Sequence, residues 1–211
     1  MQMGRLLNGV MACCKWITHF ALLNLLWVGF TLLGGVFFGL APSTAAMYSV
    51  ARKQMLTEEA PLFRTFWMVY RKEFLRANGL VWLLAGIGSV WYFDLHFFRQ
   101  FEGVFYSLMN YAMTMIGLIF IILLLYILPV FVHYDLNIRG CIKQALIIGF
   151  LHPANLVLML IIGLSSYYFF IYFPGLIPLF GLTVFAHINM WLSLKCFDQL
   201  EEAKFSEGVV S

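Results

Sequence analysis

The sequence predicts an all-α membrane protein, a polytopic helix bundle of about five transmembrane helices with interfacial amphipathic helices. Three observations lead there. The 211 residues have a mean hydropathy of +0.88, with 63% hydrophobic and 11% charged side chains, whereas soluble domains carry about 25% charged residues. Uncharged runs recur at the length of about 20 residues that a helix needs to cross about 30 Å of hydrocarbon. The 13 Lys and Arg residues are confined to the segments between and flanking those runs. This composition excludes an ordinary soluble globule and intrinsic disorder. The length fits one integral membrane domain over 1–211. A formal net charge of +3 gives no electrostatic support for a nucleic-acid partner. Cys13, Cys14, Cys141 and Cys196 form neither a CxxC pair nor a Cys/His ligand spacing, so they read as small apolar residues, and no metal or cofactor is expected.

The first span covers 17–40, which holds no formal charge. Arg5 and Lys15 precede it like the charged region of a signal peptide, but the run exceeds a 7–15-residue signal core and further spans follow. The second span, 79–93, lies between Arg76 and Asp94. The third, 104–132, includes nine Ile, Leu or Phe residues between Ile116 and Leu125, worth roughly −3 to −5 kcal/mol on the insertion scale. Pro153 divides the next apolar stretch. Proline fits best in the first turn of a helix, so an interfacial helix is expected over 137–151 and a fourth span over 154–172. Pro174, Gly175 and Pro178 form a turn, and the fifth span runs 176–194 to Lys195 and an acidic tail with Asp198, Glu201, Glu202 and Glu207.

The segment 41–78 contains Arg52, Lys53, Arg64, Arg71, Lys72 and Arg76, so the positive-inside rule makes it cytoplasmic. With five spans, ten Lys and Arg residues fall on that side and three opposite, which gives an outside N-terminus and an inside C-terminus. A rival arrangement places a tight hairpin at Gly34 and Gly35, with arms of about 17 residues, the lower limit for a crossing. Its division of the cations is twelve against one. Trp91, Tyr92, Tyr106, Tyr167, Tyr168 and Tyr172 fall at the outer ends of spans, and Trp82 and Trp191 near the inner ends, as interfacial belts require.

Within 41–78, a helix restarting at Pro42 is expected to lie along the surface. A second is expected from Pro61 to Arg76, with Glu58 and Glu59 favouring the positive end of its dipole. Phe63, Phe66, Trp67, Tyr70 and Phe74 share one face, and Arg64, Arg71, Lys72 and Arg76 gather on the other. Such a helix suits a membrane interface, with rings at the acyl boundary and cations at anionic headgroups. The same rings could anchor a cytoplasmic partner.

Few polar groups fall inside the spans. Thr183 and His187 lie one turn apart and could share a hydrogen bond. Asn24 and Trp27, and Asn110 and Thr114, could bond between helices. In a carrier, Asn24, Asn110 and His187 would face one cavity. Asp94 with His96, and His133 with Asp135, are i,i+2 pairs that do not share a helix face, which argues against metal ligation. No GxSxG elbow, HExxH motif or phosphate loop is present, and no activity as an enzyme is expected.

The runs Asn24-Leu25-Leu26-Trp27, Gly35-Val36-Phe37-Phe38-Gly39-Leu40-Ala41-Pro42-Ser43-Thr44-Ala45-Ala46 and Val50-Ala51-Arg52-Lys53, with Phe66 to Phe74, resemble the N-terminal signature of the YesL-like bacterial membrane proteins. Tyr134-Asp135-Leu136 and Lys143-Gln144-Ala145-Leu146 fit the same pattern, although Ser43 stands where alanine is usual. The family is one of unknown function. The resemblance implies a multi-pass protein of a bacterial cell membrane, and the frequent occurrence of such proteins beside genes for carbohydrate uptake implies a role near a sugar ABC transporter. The expectation is a non-enzymatic accessory component that meets transporter subunits through the 61–76 helix. The alternative is a small-solute carrier acting as a homo-oligomer.

Overall fold

The computed structural model describes residues 2–57 and 61–209, with side chains over 14–57 and 61–202. Glu58, Glu59 and the side chain of Glu207 lie outside this range. All elements among the described residues are helical: α1 (Gln2–Leu33), α2 (Leu40–Leu56), α3 (Leu62–Lys72), α4 (Phe74–Phe98), α5 (Val104–His133), α6 (Ile138–Leu151), α7 (Pro153–Tyr172), a 3-10 turn at Pro174–Leu176, α8 (Ile177–Phe180) and α9 (Thr183–Val209). Among the described residues, four helices are long and apolar enough to cross a membrane: Cys14–Leu33, Phe74–Phe98, Val104–His133 and Pro153–Tyr172. A fifth candidate joins Pro174–Phe180 to Thr183–Glu202 through a 55° bend.

The largest departure from expectation comes at the start. The first helix does not continue to residue 40. It stops at Leu33, and Gly34 to Gly39 reverse the chain. Gly35 (φ +71) and Val36 (φ +59) take the left-handed conformation that the reversal requires, which is open to glycine but strained for a β-branched residue. The arms touch at the turn: a Cβ on Gly34 would collide with the backbone of Gly39, and a Cβ on Gly39 with the carbonyls of Phe30 and Thr31. Farther along, Trp27 Nε1 donates to Thr44 Oγ1 at 3.0 Å, so α2 runs antiparallel beside α1.

The surface placement expected for the helix after Pro42 is therefore wrong. Helix α2 packs against α1, α3, α4, α5 and α9, and every residue from Ala41 to Tyr48, with Val50 and Ala51, is buried. Its Ala45, Ala46 and Ala51 let neighbouring backbones approach closely, the packing that small residues allow between helices in lipid. Thr44 Oγ1 accepts from Trp27 and donates to Leu40 O, Ser43 is fully buried, and Arg52 and Lys53 lie near the C-terminal end of the helix.

The other helices follow the run lengths closely. Helix α4 lies antiparallel to α5, with Arg76 beside Asp135 at one end and Trp91 at Gly117 and Met113 at the other. Gly117 leaves the gap that the Trp91 ring fills. Helix α6 folds back on α5, bringing Gly149 against Ile122 and Tyr126. Helix α7 begins with Pro153 as expected and pairs with α9, where Gly163 receives Phe185 and Asn155 Nδ2 donates to Cys196 Sγ at 2.9 Å. Several boundaries move: α4 extends beyond 79–93 at both ends, to Phe74 and Phe98, and the span expected over 176–194 is broken into the 3-10 turn, α8 and α9. Helix α3 ends at Lys72 rather than Arg76, and α9 continues past Lys195 to Val209.

Candidate functional site

Three asparagines inside the bundle donate to backbone carbonyls at breaks or turns. Pro129 lies within α5 and has no N–H for the carbonyl of Leu125. Asn189 Nδ2 of α9 donates to that carbonyl at 3.2 Å. Asn78 Nδ2 donates to Phe38 O in the hairpin turn at 2.9 Å and to Phe74 O at 2.8 Å. Asn24 Nδ2 donates to Ile177 O at 3.1 Å and Pro178 O at 2.7 Å, beside the bend between α8 and α9. An unsatisfied backbone group in hydrocarbon costs several kcal/mol, so each carboxamide stabilises an irregularity that water would otherwise have to solvate.

Asn24 is also the centre of a buried polar cluster. Thr183 Oγ1 donates to Asn24 Oδ1 at 3.1 Å, with Met47 Sδ of α2 at 3.7 Å from the same hydroxyl. His187 Nδ1 lies 3.0 Å from Thr183 O and therefore carries a proton there, while its Nε2 lies 3.3 Å from the Gln54 carboxamide. The atom facing Nε2 is Gln54 Oε1, so a neutral ring protonated at Nδ1 accepts there only with the carboxamide flipped to present its NH2. Phe20 stands perpendicular to the imidazole at 4.6 Å, and His19 follows at 6.2 Å. Asn24 is 1% exposed, Thr183 0% and His187 4%. Three expected candidates, Asn24, Thr183 and His187, thus meet. The bond between them differs from expectation: His187 takes the Thr183 carbonyl, and the hydroxyl goes to Asn24.

Asn110 is not brought to this cluster. It lies on α5, where its Oδ1 is buried without a partner and its carbonyl accepts from Thr114 Oγ1 at 2.8 Å. The shared cavity expected of Asn24, Asn110 and His187 is therefore not formed by these three residues. Gln54, Asn78 and Asn189 were not singled out from the sequence. Gln54 fell in the segment read as surface, and the other two look like ordinary interhelical asparagines until the carbonyls they serve are located.

Helix α3 is the second candidate. Phe30 of α1 receives Phe63, Phe66, Trp67 and Tyr70 with ring centroids at 6.3, 5.1, 5.5 and 5.1 Å. Phe66 is fully buried, Tyr70 is buried with its OH donating to Phe30 O at 3.2 Å, and Phe74 is half-buried with its edge against Tyr70. Phe66, Tyr70 and Phe74 therefore fasten α3 to the bundle and are not available to an outside partner. Arg76 also turns inward, pairing with Glu73 and Asp135 at 3.2 Å each and donating to Leu136 O. The exposed remainder is Phe63, Arg64, Trp67, Met68, Arg71 and Lys72, where Arg64, Trp67, Met68, Arg71 and Lys72 border a depression of about 560 Å³.

Among the described residues, no group of three or more His, Cys, Asp or Glu side chains is placed to hold a metal ion. Asp135 is engaged by Arg76, and His133 Nδ1 accepts from Arg52 Nε at 3.2 Å.

A family model described as "Protein of unknown function, DUF624" matches residues 20–95, which span the hairpin, α3 and most of α4. The chain is 36% identical to the uncharacterized protein YesV of Bacillus subtilis over 95% of its length and 97% of the relative's. It is 34% identical to YteU of the same organism over 90% of this chain and 83% of that one. Identity to YesL, also of Bacillus subtilis, is 32% over 95% of each chain. No solved structure matches. With matches that run from α1 into α9, the chain belongs to the YesL-like family of unknown function.

Proposed function

We propose that this protein is a non-enzymatic accessory component of a bacterial cell membrane, docking onto subunits of a carbohydrate ABC-type transporter through the exposed rim of α3. The observation that carries the reading is the division of that helix. Phe66 and Tyr70 hold one face rigidly on Phe30, while Phe63, Trp67 and Met68 remain exposed among Arg64, Arg71 and Lys72. Exposed aromatics and arginine on a pre-ordered helix are the residue types that dominate binding energy at interfaces. The rim would face the cytoplasm. With α1 and α2 as a hairpin, the positive-inside division becomes twelve cations against Arg99 alone, and the C-terminus falls on the same side. The carbohydrate transporter as partner rests on the genetic neighbourhood of the family.

The test is affinity capture of the full chain from native membranes. The F63A/W67A variant leaves Phe66 and Tyr70 in place but removes two rings that also touch Phe30, so it is compared with wild type at a temperature below the unfolding of both, where recovery of transporter subunits should fall at least tenfold. Undiminished recovery would overturn the reading. The bend at α8 and α9, with Asn24, Thr183 and His187 beside it, favours a second reading, a small-solute carrier acting as a homo-oligomer. Interrupted helices with polar side chains at the break bind substrates in transporters. That reading requires solute uptake into proteoliposomes by the wild-type protein, and its absence would refute it.

A further inference from the structure

We propose that the cleft enclosed by the last turns of α2, α3 and the end of α5 binds a phosphate-bearing anion. Its volume is about 550 Å³, within the range of ligand pockets. Four cations line it, Arg52, Lys53, Lys72 and Arg76, together with two carboxylates, Glu73 and Asp135.

The charges do not cancel evenly. Arg76 Nη1 lies 3.2 Å from both Glu73 Oε2 and Asp135 Oδ1, and Lys72 Nζ lies 3.6 Å from Glu73 Oε1. Both lining carboxylates are thus held on the wall made by α3, the start of α4 and the segment after α5. On the α2 wall, Arg52 and Lys53 form no ion pair among the described residues. Arg52 Nε donates to His133 Nδ1, which fixes the guanidinium and leaves the imidazole as a neutral acceptor. The second imidazole nitrogen faces Glu201 at 3.8 Å. An arginine anchored through Nε keeps its terminal NH2 groups free as a fork, the geometry that matches two phosphate oxygens. Lys53 adds a point charge one residue on, and the hydroxyls of Ser49 and Thr65 line the same space. A half-buried guanidinium facing a cavity gains more from an anion than a fully solvated one, because less screening intervenes.

Two sources can supply the phosphate group, a soluble phosphate ester and the headgroup of an anionic phospholipid. Purified full-length protein in nonionic detergent is titrated with inorganic phosphate, with potassium chloride at matched ionic strength as the control. In parallel, the protein is placed in phosphatidylcholine nanodiscs with and without phosphatidylglycerol. Thermal unfolding is the readout. For a specific site the midpoint rises saturably, by about 5–10 °C at a hundredfold excess over Kd. R52Q abolishes the rise and K53Q reduces it, while chloride has no effect. A rise with inorganic phosphate identifies a soluble ligand, and a rise confined to phosphatidylglycerol identifies the headgroup. Should R52Q fail to fold, K53Q decides, since Lys53 is exposed and outside the core. No saturable rise with either probe, or an equal rise in wild type and K53Q when R52Q does not fold or also retains it, overturns the proposal.

Discussion

Replacing Asn24 with leucine should destabilise the protein far more than the same change at Asn110, although both are asparagines in uncharged runs. Asn24 makes three hydrogen bonds, two as donor to Ile177 O and Pro178 O and one as acceptor from Thr183 Oγ1. Interhelical bonds in membranes average about 0.6 kcal/mol and reach about 1.7, so their removal costs about 2 kcal/mol. Ile177 O keeps the Gly181 N–H at 2.9 Å, whereas Pro178 O loses its side-chain donor. A buried carbonyl without a partner adds about 1–3 kcal/mol, which brings N24L to about 3–5 kcal/mol. Asn110 Oδ1 is already buried without a partner, so N110L removes a penalty and should be neutral or stabilising. Equilibrium unfolding of both variants in mixed micelles, followed by tryptophan fluorescence, measures the difference. A cycle combining N24L with T183V should return a coupling of about 1 kcal/mol. If N24L costs no more than N110L, the assignment of Asn24 as the clasp on the bent helix is refuted.

The hairpin turn and the cysteines give two further tests. G39A should prevent recovery of monodisperse protein because its Cβ meets the carbonyls of Phe30 and Thr31, while V36G should stabilise by about 1 kcal/mol by relieving a left-handed valine; size-exclusion chromatography and thermal unfolding check the pair. Burial pushes the Cys141 thiol above its ordinary range, with Arg76 nearby opposing the shift. Alkylation requires the thiolate, so Cys141 should react slowly at pH 7 and faster as the pH rises, well behind exposed Cys14. Mass spectrometry of maleimide-treated protein reads both rates, and equal rates at pH 7 would contradict the burial of Cys141.

The helices that depend only on run length were legible in the sequence. α5 is continuous and apolar, and Pro153 separates α6 from α7 because proline fits best in the first turn of a helix. The hairpin was legible as an alternative from Gly34 and Gly35, but the decisive residue, Gly39, matters through a contact with Phe30 and Thr31 that only the folded backbone reveals. Helix α2 was misread because Ala, Ser and Thr are nearly neutral on transfer scales, yet between helices their small size is what permits burial. On α3 the aromatic periodicity was correct, while the partner that divides its rings into anchors and rim, Phe30, comes from another helix. The asparagines show the same limit. Which one is indispensable depends on where a proline or a bend has freed a carbonyl, and that is a property of the assembled bundle.

The chain reverses at Gly34 to Gly39, so that the entry to α1 and the exit from α2 lie at the same end. The most direct measurement is side-specific labelling of single cysteines at positions 15 and 53, both exposed lysines, in a background where the four native cysteines are replaced. A maleimide that does not cross lipid is applied to intact cells and to inverted membrane vesicles. The hairpin requires K15C and K53C to be modified from the same side, in the inverted vesicles. Modification of the two positions from opposite sides would show that the chain crosses once before residue 53, and the antiparallel pairing of α1 with α2 would be contradicted.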